Sequence, residues 1–327
     1  MMLARLLLSC ALLLHALPTW ARCQPRAEEG AGWTSSGERA LPSWQRPRVR
    51  PGVAAGLSVL PGLGHAYACD PVGAALFPIS VGASLGTAVV LVADPWAADD
   101  PLAQPAMMAA QNIWFYGIYD SFRIASLMRG ERADRQPVDR AGIGSHLAAP
   151  YRVRNLRDPW VLGSVGVGLA AGSVVTLLTV AESQPVWARK TLPWAGERIP
   201  VGAGLPLGLA WEGLVFTGVG VGEESLFRGV IQPVLVDALG APGGIVLSSA
   251  IFGAAHIRSL ERPGEELINA AVVGSLGGLL GFVAHRDRYV LGRAIAMHFW
   301  YDAALYSAVF LLAPDSMPWA FSLSTRW

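Results

Sequence analysis

Charged residues are scarce in this sequence, which argues against a soluble enzyme. Of its 327 residues, 15% are charged and 53% are hydrophobic, whereas about 25% of residues are charged in a typical soluble domain. The positive mean hydropathy of +0.40 agrees with this imbalance. The composition therefore predicts a membrane protein. The formal net charge of +1 gives no reason to expect a nucleic-acid partner.

Cysteine is also scarce. The three cysteines, Cys10, Cys23 and Cys69, form neither a C-x-x-C pair nor the spacing of a zinc knuckle. Their low and odd number excludes a disulfide framework, but leaves a single bond between Cys23 and Cys69 open.

The N-terminus has the pattern of a targeting segment. In residues 1–21, Arg5 precedes an apolar run from Leu6 to Leu17, and small residues follow at the positions expected before a cleavage point. This pattern predicts a cleaved secretory signal, with an uncleaved N-terminal anchor as the alternative. Residues 22–50 are rich in Arg, Pro, Ser, Glu and Gly without an apolar period, and predict a polar linker.

Apolar stretches fill the remaining chain. A helix needs about 20 apolar residues to cross the bilayer core. We therefore predict an all-α, polytopic bundle of transmembrane helices with about seven to nine membrane segments. The candidate segments are 53–69, 72–93, 105–128, 159–181, 203–221, 223–239, 244–258, 267–284 and 289–312.

An arginine-rich loop divides these segments into two modules. Residues 129–157 contain seven arginines and three acidic residues, so the positive-inside rule predicts that this loop is cytoplasmic. The N-terminal module, residues 51–150, contains the sequence P-G-L-G-H-A-Y at 61–67, which resembles the PGxGHxY hairpins of small bacterial membrane modules of unknown role. We predict that His65 is a helix-end or interfacial residue rather than a ligand, and assign this module no chemistry.

Three charged clusters interrupt the apolar sequence of the second module, residues 151–327. They lie at 222–228, 252–256 and 298–302. Ionisable residues inside membrane helices cost a few kcal/mol each, usually face the bundle interior, and often mark a functional site. By contrast, Glu212 and the loop residue His146 are assigned no role.

The spacing within the first cluster separates two carboxylates. Glu224 and Arg228 are four residues apart on a helix, in the favoured orientation for an ion pair. Glu223 lies about 100° around the same helix, without that partner, and a desolvated carboxylate of this kind suits a general base.

The other two clusters supply histidines. His298 and Asp302 share a helix face, so Asp302 could orient the imidazole or join it in binding substrate. His256 comes from a different helix and could complete a site with Glu223. Any one cluster alone could be a structural ion pair or a packed histidine, but three together favour a shared active site.

The order of these motifs resembles the CPBP family of intramembrane proteases, which includes CAAX prenyl proteases, bacteriocin-processing enzymes and Abi-type proteins. The family pattern is E-E-x-x-x-R, then F-x-x-x-H, then H-x-x-x-N/D. The residues that match are Glu223, Glu224, Arg228, Phe252, His256, His298 and Asp302. The resemblance covers about residues 158–312. Family members more often have Asn at the last position, and Asp302 would be a weaker oxyanion donor unless it were protonated.

The resemblance implies an intramembrane endopeptidase that cleaves a peptide or membrane protein. Glu223 and His256 would activate a water, His298 and Asp302 would stabilise the oxyanion, and the Glu224–Arg228 pair would shape the site. The sequence lacks H-E-x-x-H, but Glu223, His256 and His298 could hold a divalent metal such as zinc with one open position. Activation without a metal or other cofactor is favoured slightly over this alternative.

A non-catalytic membrane scaffold or an ion or proton carrier could use the same buried charges. A carrier is expected to show an internal repeat of broken helices, and none is convincing here. The substrate is either a prenylated CAAX peptide or another peptide or membrane protein. The predicted location is the lipid bilayer of a bacterial inner (plasma) membrane.

Overall fold

The computed structural model describes residues 49–93, 103–129, 136–179, 183–194, 197–257 and 263–316. The predicted signal sequence and all but the last two residues of the predicted linker lie outside these ranges. Cys69 forms a disulfide, and the other two cysteines lie outside the described residues.

Helices make up most of the described chain, as the all-α prediction requires. In chain order the elements are α1 (Pro51–Leu57), α2 (Leu63–Tyr67), α3 (Pro71–Ala93), α4 (Ala103–Arg129), α5 (Ile143–Leu147), α6 (Val153–Leu156), α7 (Pro159–Thr179), β1 (Thr191–Trp194), β2 (Glu197–Pro200), α8 (Val201–Leu226), a π-helical turn (Phe227–Ile231), α9 (Gln232–Ala254), α10 (Pro263–Arg286) and α11 (Gly292–Leu312). The exception is the antiparallel hairpin of β1 and β2, in which Leu192 pairs with Ile199.

Five helical stretches in the described chain are long and apolar enough to cross a membrane. They are Pro71–Val92, Pro159–Leu178, Val201–Ala254, Glu266–Arg286 and Gly292–Leu312. The polytopic prediction therefore holds, whereas the count of seven to nine segments is not confirmed. One predicted segment, 53–69, forms the two short helices α1 and α2 instead, because the chain turns at Gly62 with a φ of +83°.

Two other predicted segments, 203–221 and 223–239, are parts of one continuous helical stretch. The π-helical turn joins α8 to α9 without a loop, and such turns occur frequently at functional sites. The chain reverses within α9 at Gly240, where φ is +74°. After this reversal Gly244 lies so close to the backbone of Val236 that a larger residue would overlap it.

Helix α11 holds the second module together. A side chain at Gly168 or Gly172 of α7 would overlap the backbone of α11 at Tyr301 or Leu305, so these two glycines permit the close helix approach typical of small-x-x-x-small motifs. On its other side α11 runs antiparallel to α8, and Phe216 of α8 lies 4.8 Å from Tyr306 between ring centroids. This packing brings the charged clusters of α8 and α11 together.

The N-terminal module packs directly on the helix that carries the first charged cluster. Asn112 of α4 lies against Gly222 of α8, where any larger side chain would overlap it. The arginine-rich segment also takes part, since it forms α5 and α6 rather than an extended loop. Its Asn155 side chain donates a hydrogen bond of 3.3 Å to the carbonyl of Gly292, at the start of α11.

Asp139 anchors the same segment. Its carboxylate accepts hydrogen bonds from the backbone N–H of Leu291 at 2.9 Å and of Ala141 at 2.8 Å, and lies 3.1 Å from Nε2 of His146. His146, expected in a loop, is therefore a buried residue of α5. Burial by itself raises the pKa of Asp139, but its three hydrogen bonds outweigh burial and lower this pKa below its usual value.

We expect Asp139→Asn to lower the free energy of unfolding by about 1.5–3 kcal/mol, as for other hydrogen bonds to charged groups. Because folding lowers the pKa of Asp139, its contribution is complete above the unfolded-state pKa and is lost as pH falls through the folded-state pKa. Unfolding in detergent from pH 7 to pH 3 measures this. Glu197→Gln, at an exposed position of β2, is the control; equal pH profiles for wild type and Asp139→Asn would contradict the anchor.

A second basic segment lies on the same side of the bundle as the arginine-rich segment. Arg286, Arg288 and Arg293 flank the connection between α10 and α11, and Arg293 forms a 3.0 Å ion pair with Asp158, which precedes α7. The positive-inside rule favours a cytoplasmic location for this whole end of the bundle.

Cysteine labelling tests this orientation. A side chain at Gly144 meets nothing within 4 Å, so Gly144→Cys should fold normally. We expect a membrane-impermeant maleimide to label it only after intact cells are opened. Trp187→Cys, at an exposed position beyond the opposite end of α7, should react in intact cells. The reverse labelling pattern would show that the orientation is wrong.

Candidate active site

The three charged clusters converge in the second module. Glu223 and Glu224 lie near the end of α8, and Arg228 lies in the π-helical turn that follows. His256 lies in the turn just after α9. His298 and Asp302 lie on α11. The structure thus brings together all six ionisable residues that the sequence nominated, whereas their catalytic roles remain predictions. These residues are Glu223, Glu224, Arg228, His256, His298 and Asp302.

The predicted ion pair forms the closed, buried inner end of the site. Nη1 of Arg228 lies 3.0 Å from Oε1 of Glu224, and both side chains are almost completely buried. The guanidinium also donates a hydrogen bond of 2.9 Å to the carbonyl of Gly277 on α10. Its Cζ lies 4.3 Å from the ring centroid of Phe252, in the range of a cation–π interaction. Arg228 therefore links α8, α9 and α10.

His298 is surrounded by carboxylates. Its Nδ1 lies 2.7 Å from Oε1 of Glu224, and its Nε2 lies 3.3 Å from Oδ2 of Asp302 and 3.8 Å from Oε2 of Glu223. Ionised carboxylates only accept hydrogen bonds, so an imidazolium with a proton on both nitrogens satisfies these contacts. In that state two cations, His298 and Arg228, balance two of the three carboxylates and leave one negative charge in the site.

Glu223 and His256 face each other without direct contact. Oε2 of Glu223 lies 3.8 Å from Nε2 of His256, which is too long for a hydrogen bond but allows one bridging water. Nδ1 of His256 lies 2.8 Å from the carbonyl oxygen of Phe252. Because a carbonyl only accepts, Nδ1 carries a proton, and in the neutral imidazole Nε2 then presents its lone pair towards Glu223.

The exposure of the side chains shows where the site opens. The side chain of His256 is 29% exposed and that of Asp302 is 16% exposed, whereas those of Glu224 and Arg228 are 0% and 1% exposed. Glu223 is intermediate at 10%. A substrate would therefore enter on the side of His256 and Asp302 and meet Glu223 before the ion pair.

The distances between donor atoms limit which residues could bind a metal ion. Within the described chain, one group of possible metal ligands has three donor atoms that all lie within 4.8 Å of one another. It consists of His65, Asp70 and Asp120 in the N-terminal module, and not of Glu223, His256 and His298. Zinc ligands at about 2.1 Å from one ion cannot be more than about 4.2 Å apart. The active-site donors would therefore have to move together to share an ion.

Two buried amides beside the site were not predicted from the sequence. Gln232 donates a hydrogen bond of 2.8 Å to the carbonyl of Gly281, one helical turn beyond the contact that Arg228 makes with Gly277. The four-residue spacing on both helices could have indicated this pair. Asn112, buried against Gly222 beside Glu223, had no sequence signal except its polarity within an apolar segment.

Comparison with known proteins agrees with the motifs. Residues 206–304 match the family model described as type II CAAX prenyl endopeptidase Rce1-like. This match contains all six ionisable residues of the site and confirms the family that the motifs predicted. It supports a membrane-embedded endopeptidase in general. No curated protein and no solved structure shows significant similarity to the chain.

Proposed function

We propose that this protein is an intramembrane endopeptidase that cleaves a peptide bond with a water held between Glu223 and His256. The observation that carries the proposal is the 3.8 Å separation between Glu223 Oε2 and His256 Nε2. With a neutral His256 both atoms are acceptors, and a water between them could donate one hydrogen bond to each. Its oxygen lone pairs would then be free to attack a carbonyl carbon.

The surrounding residues suit the steps of amide hydrolysis. Glu223 takes a proton from the water as the hydroxyl oxygen bonds to the scissile carbonyl carbon. The carbonyl oxygen gains negative charge, which the N–H at Nε2 of His298 stabilises by donating to it. When the carbon–nitrogen bond breaks, Glu223 returns the proton to the leaving amine. The hydroxyl group of the water thus becomes part of the acid product, and its other proton becomes part of the amine product.

Asp302 acts in this scheme by positioning His298. An ionised carboxylate cannot donate a hydrogen bond to an oxyanion, but its oxygen lies 3.3 Å from Nε2 of His298. The single N–H at Nε2 is therefore directed towards Asp302 before substrate binds and is shared between Asp302 and the oxyanion as negative charge develops. On the opposite edge of the ring, Glu224 contacts Nδ1. The two carboxylates together favour the imidazolium and set the plane of its ring. This assignment replaces a direct oxyanion contact by Asp302.

The substrate is a peptide or membrane protein that enters beside His256 and Asp302. His298 is six residues after the start of α11 at Gly292, a rise of about 9 Å. The reaction would therefore take place near the arginine-rich end of the bundle. A prenylated C-terminal peptide that approaches from that leaflet is one substrate of this kind, and an unmodified transmembrane segment is the other.

Glu223→Gln tests the proposal with a matched control on the same helix. We expect it to lower cleavage of a membrane-embedded reporter peptide at least 100-fold, since general-base catalysis contributes about 10²–10⁴ in rate. Glu212→Gln makes the same change three turns away at another buried carboxylate and should retain activity. No cleavage by folded wild-type protein of either prenylated or unmodified peptides would favour a scaffold or carrier instead.

A chelator titration separates the two ways of activating water. If a metal is required, Glu223, His256 and His298 would hold it after moving together, and it would supply Lewis-acid activation of the water. Metal-free catalysis predicts the same rate with and without chelator. Loss of activity with chelator and recovery with zinc would assign these residues as ligands, provided that Asp120→Asn protein behaves in the same way.

A further inference from the structure

A second group of ionisable residues lies in the N-terminal module, away from the proposed active site. His65 is in α2, Asp70 immediately precedes α3, and Asp120 is in α4. One donor atom from each lies within 4.8 Å of those of the other two. Nε2 of His65 is 3.4 Å from Oδ2 of Asp120. Three separate segments thus bring one imidazole and two carboxylates to one point.

The state of His65 is the second observation. Its side chain is completely buried. Its Nδ1 makes no hydrogen bond within the described chain, and its Nε2 has only the long 3.4 Å contact with Asp120. His65 lies in the last turn of α2, as the helix-end alternative predicts, whereas its burial is not that of an interfacial residue. The ring of Phe77 stacks on it, with centroids 4.5 Å apart, and holds its edge towards the carboxylates. A buried polar atom without a partner is costly, and such an atom requires an explanation.

The glycine pattern of this segment makes room for the group. Gly64 lies against the backbone of Ala54, and a larger residue there would overlap it. A side chain at Gly73 would collide with both the Asp70 carboxylate and the His65 ring. Gly73 therefore permits the approach of Asp70 and His65, and Gly64 of the PGxGHxY hairpin permits α2, which carries His65, to pack closely on α1.

We propose that His65, Asp70 and Asp120 bind a divalent transition-metal ion, with zinc as the expected occupant. Imidazole nitrogen and carboxylate oxygen are both zinc ligands, at about 2.0–2.2 Å. Because donors of one ion lie at most about 4.2 Å apart, small side-chain movements close the group around it. Arg123, 2.6 Å from Asp120, balances only one of the two carboxylates, so a divalent cation is not repelled.

The ion has a structural role in this scheme. It ties together α2, α3 and α4, and α4 in turn supports Gly222 through Asn112. Metal binding would thus stabilise the surface on which the end of α8 rests. This site does not depend on whether the chain is a protease.

Zinc stoichiometry of the purified full-length protein tests the proposal. After treatment with chelator and dialysis against zinc, we expect about one tightly bound ion per chain in wild type and in Glu223→Gln. Asp120→Asn and Asp70→Asn, which keep the side-chain shapes, should bind zinc on the order of 100-fold more weakly. Zinc should also raise the melting temperature of wild type, since a ligand of the native state stabilises it, but not that of either Asn variant.

Two results would overturn the proposal. One is wild-type protein that binds no zinc and shows no change in melting temperature with zinc or manganese. The other is zinc binding that both Asn variants retain and Glu223→Gln loses, which would place the ion in the active site. If one Asn variant fails to fold, the other, compared with Glu223→Gln, still distinguishes the two sites.

Discussion

The double variant Glu223→Ala/His256→Ala is expected to cleave a membrane-embedded reporter at nearly the same residual rate as either single variant. Both side chains act on one water in the proposed mechanism, so removal of either leaves that water without its full set of acceptors. Residues that act as a unit are non-additive in kinetics. Each single change should lower the rate by about 10²–10⁴, whereas independent roles would multiply these losses in the double variant.

The measurement is initial cleavage rate in liposomes for wild type, both single variants and the double variant at equal folded concentration. The matched control is Glu212→Ala with His285→Ala, which removes the same two residue types from α8 and α10 outside the site. This control pair should stay close to wild type. Wild-type cleavage by His256→Ala, or a double variant whose losses multiply, would contradict the shared water.

Arg228→Ala is expected to lower the free energy of unfolding by about 3–5 kcal/mol, because breaking a buried ion pair from one side leaves a buried charge unpaired. Arg228 and Glu224 are almost completely buried, and the guanidinium is also bonded to the Gly277 carbonyl. Its loss therefore removes a contact between α10 and the π-helical turn as well. Arg228→Lys should be intermediate, since lysine keeps the charge without the planar fork.

Denaturant unfolding in detergent, together with folded yield, measures this loss. Arg293→Ala is the control, because the Arg293 side chain is 27% exposed and its ion pairs with Asp158 and Asp287 face solvent more. Such pairs contribute at most about 1 kcal/mol. Glu223→Gln should unfold like wild type although it loses activity. If Arg228→Ala were as stable as Arg293→Ala, the ion pair would not stabilise the buried inner end of the site.

Contacts within a single helix could be predicted from the sequence. Helical periodicity places residues four apart on one face, and the structure has both predicted pairs, Glu224 with Arg228 at 3.0 Å and His298 with Asp302 at 3.3 Å. Neither pair depends on how the helices pack. For the same reason, the separation of Glu223 from Arg228 followed from the sequence.

Contacts between helices could not be predicted in this way. The 2.7 Å contact of His298 with Glu224 depends on the antiparallel packing of α8 on α11, which no spacing within one segment encodes. It changes the expected chemistry, because a histidine enclosed by three carboxylates is an imidazolium donor. Asn112 and Gln232 were missed for the same reason.

The predicted membrane segments were wrong at two places where an apolar stretch was taken to be a separate transmembrane helix. Residues 53–69 are apolar, yet the turn at Gly62 divides them into two short helices. Gly222 was taken as a boundary between two segments, but the helix continues through it. Its missing side chain serves the close approach of Asn112. A glycine can break a helix or admit a neighbour, and only the packed structure distinguishes these roles.

By itself, the sequence determined that this is a membrane protein, which motifs nominate its candidate site, and which charges pair within a helix, because composition and helical period are local properties. Tertiary structure decided that six ionisable side chains share one site, that Glu223 and His256 face each other at 3.8 Å, and that the site opens beside His256. It also decided that His65 is buried beside two carboxylates. These outcomes depend on the directions in which separate helices pack, and that information is spread over residues far apart in the chain.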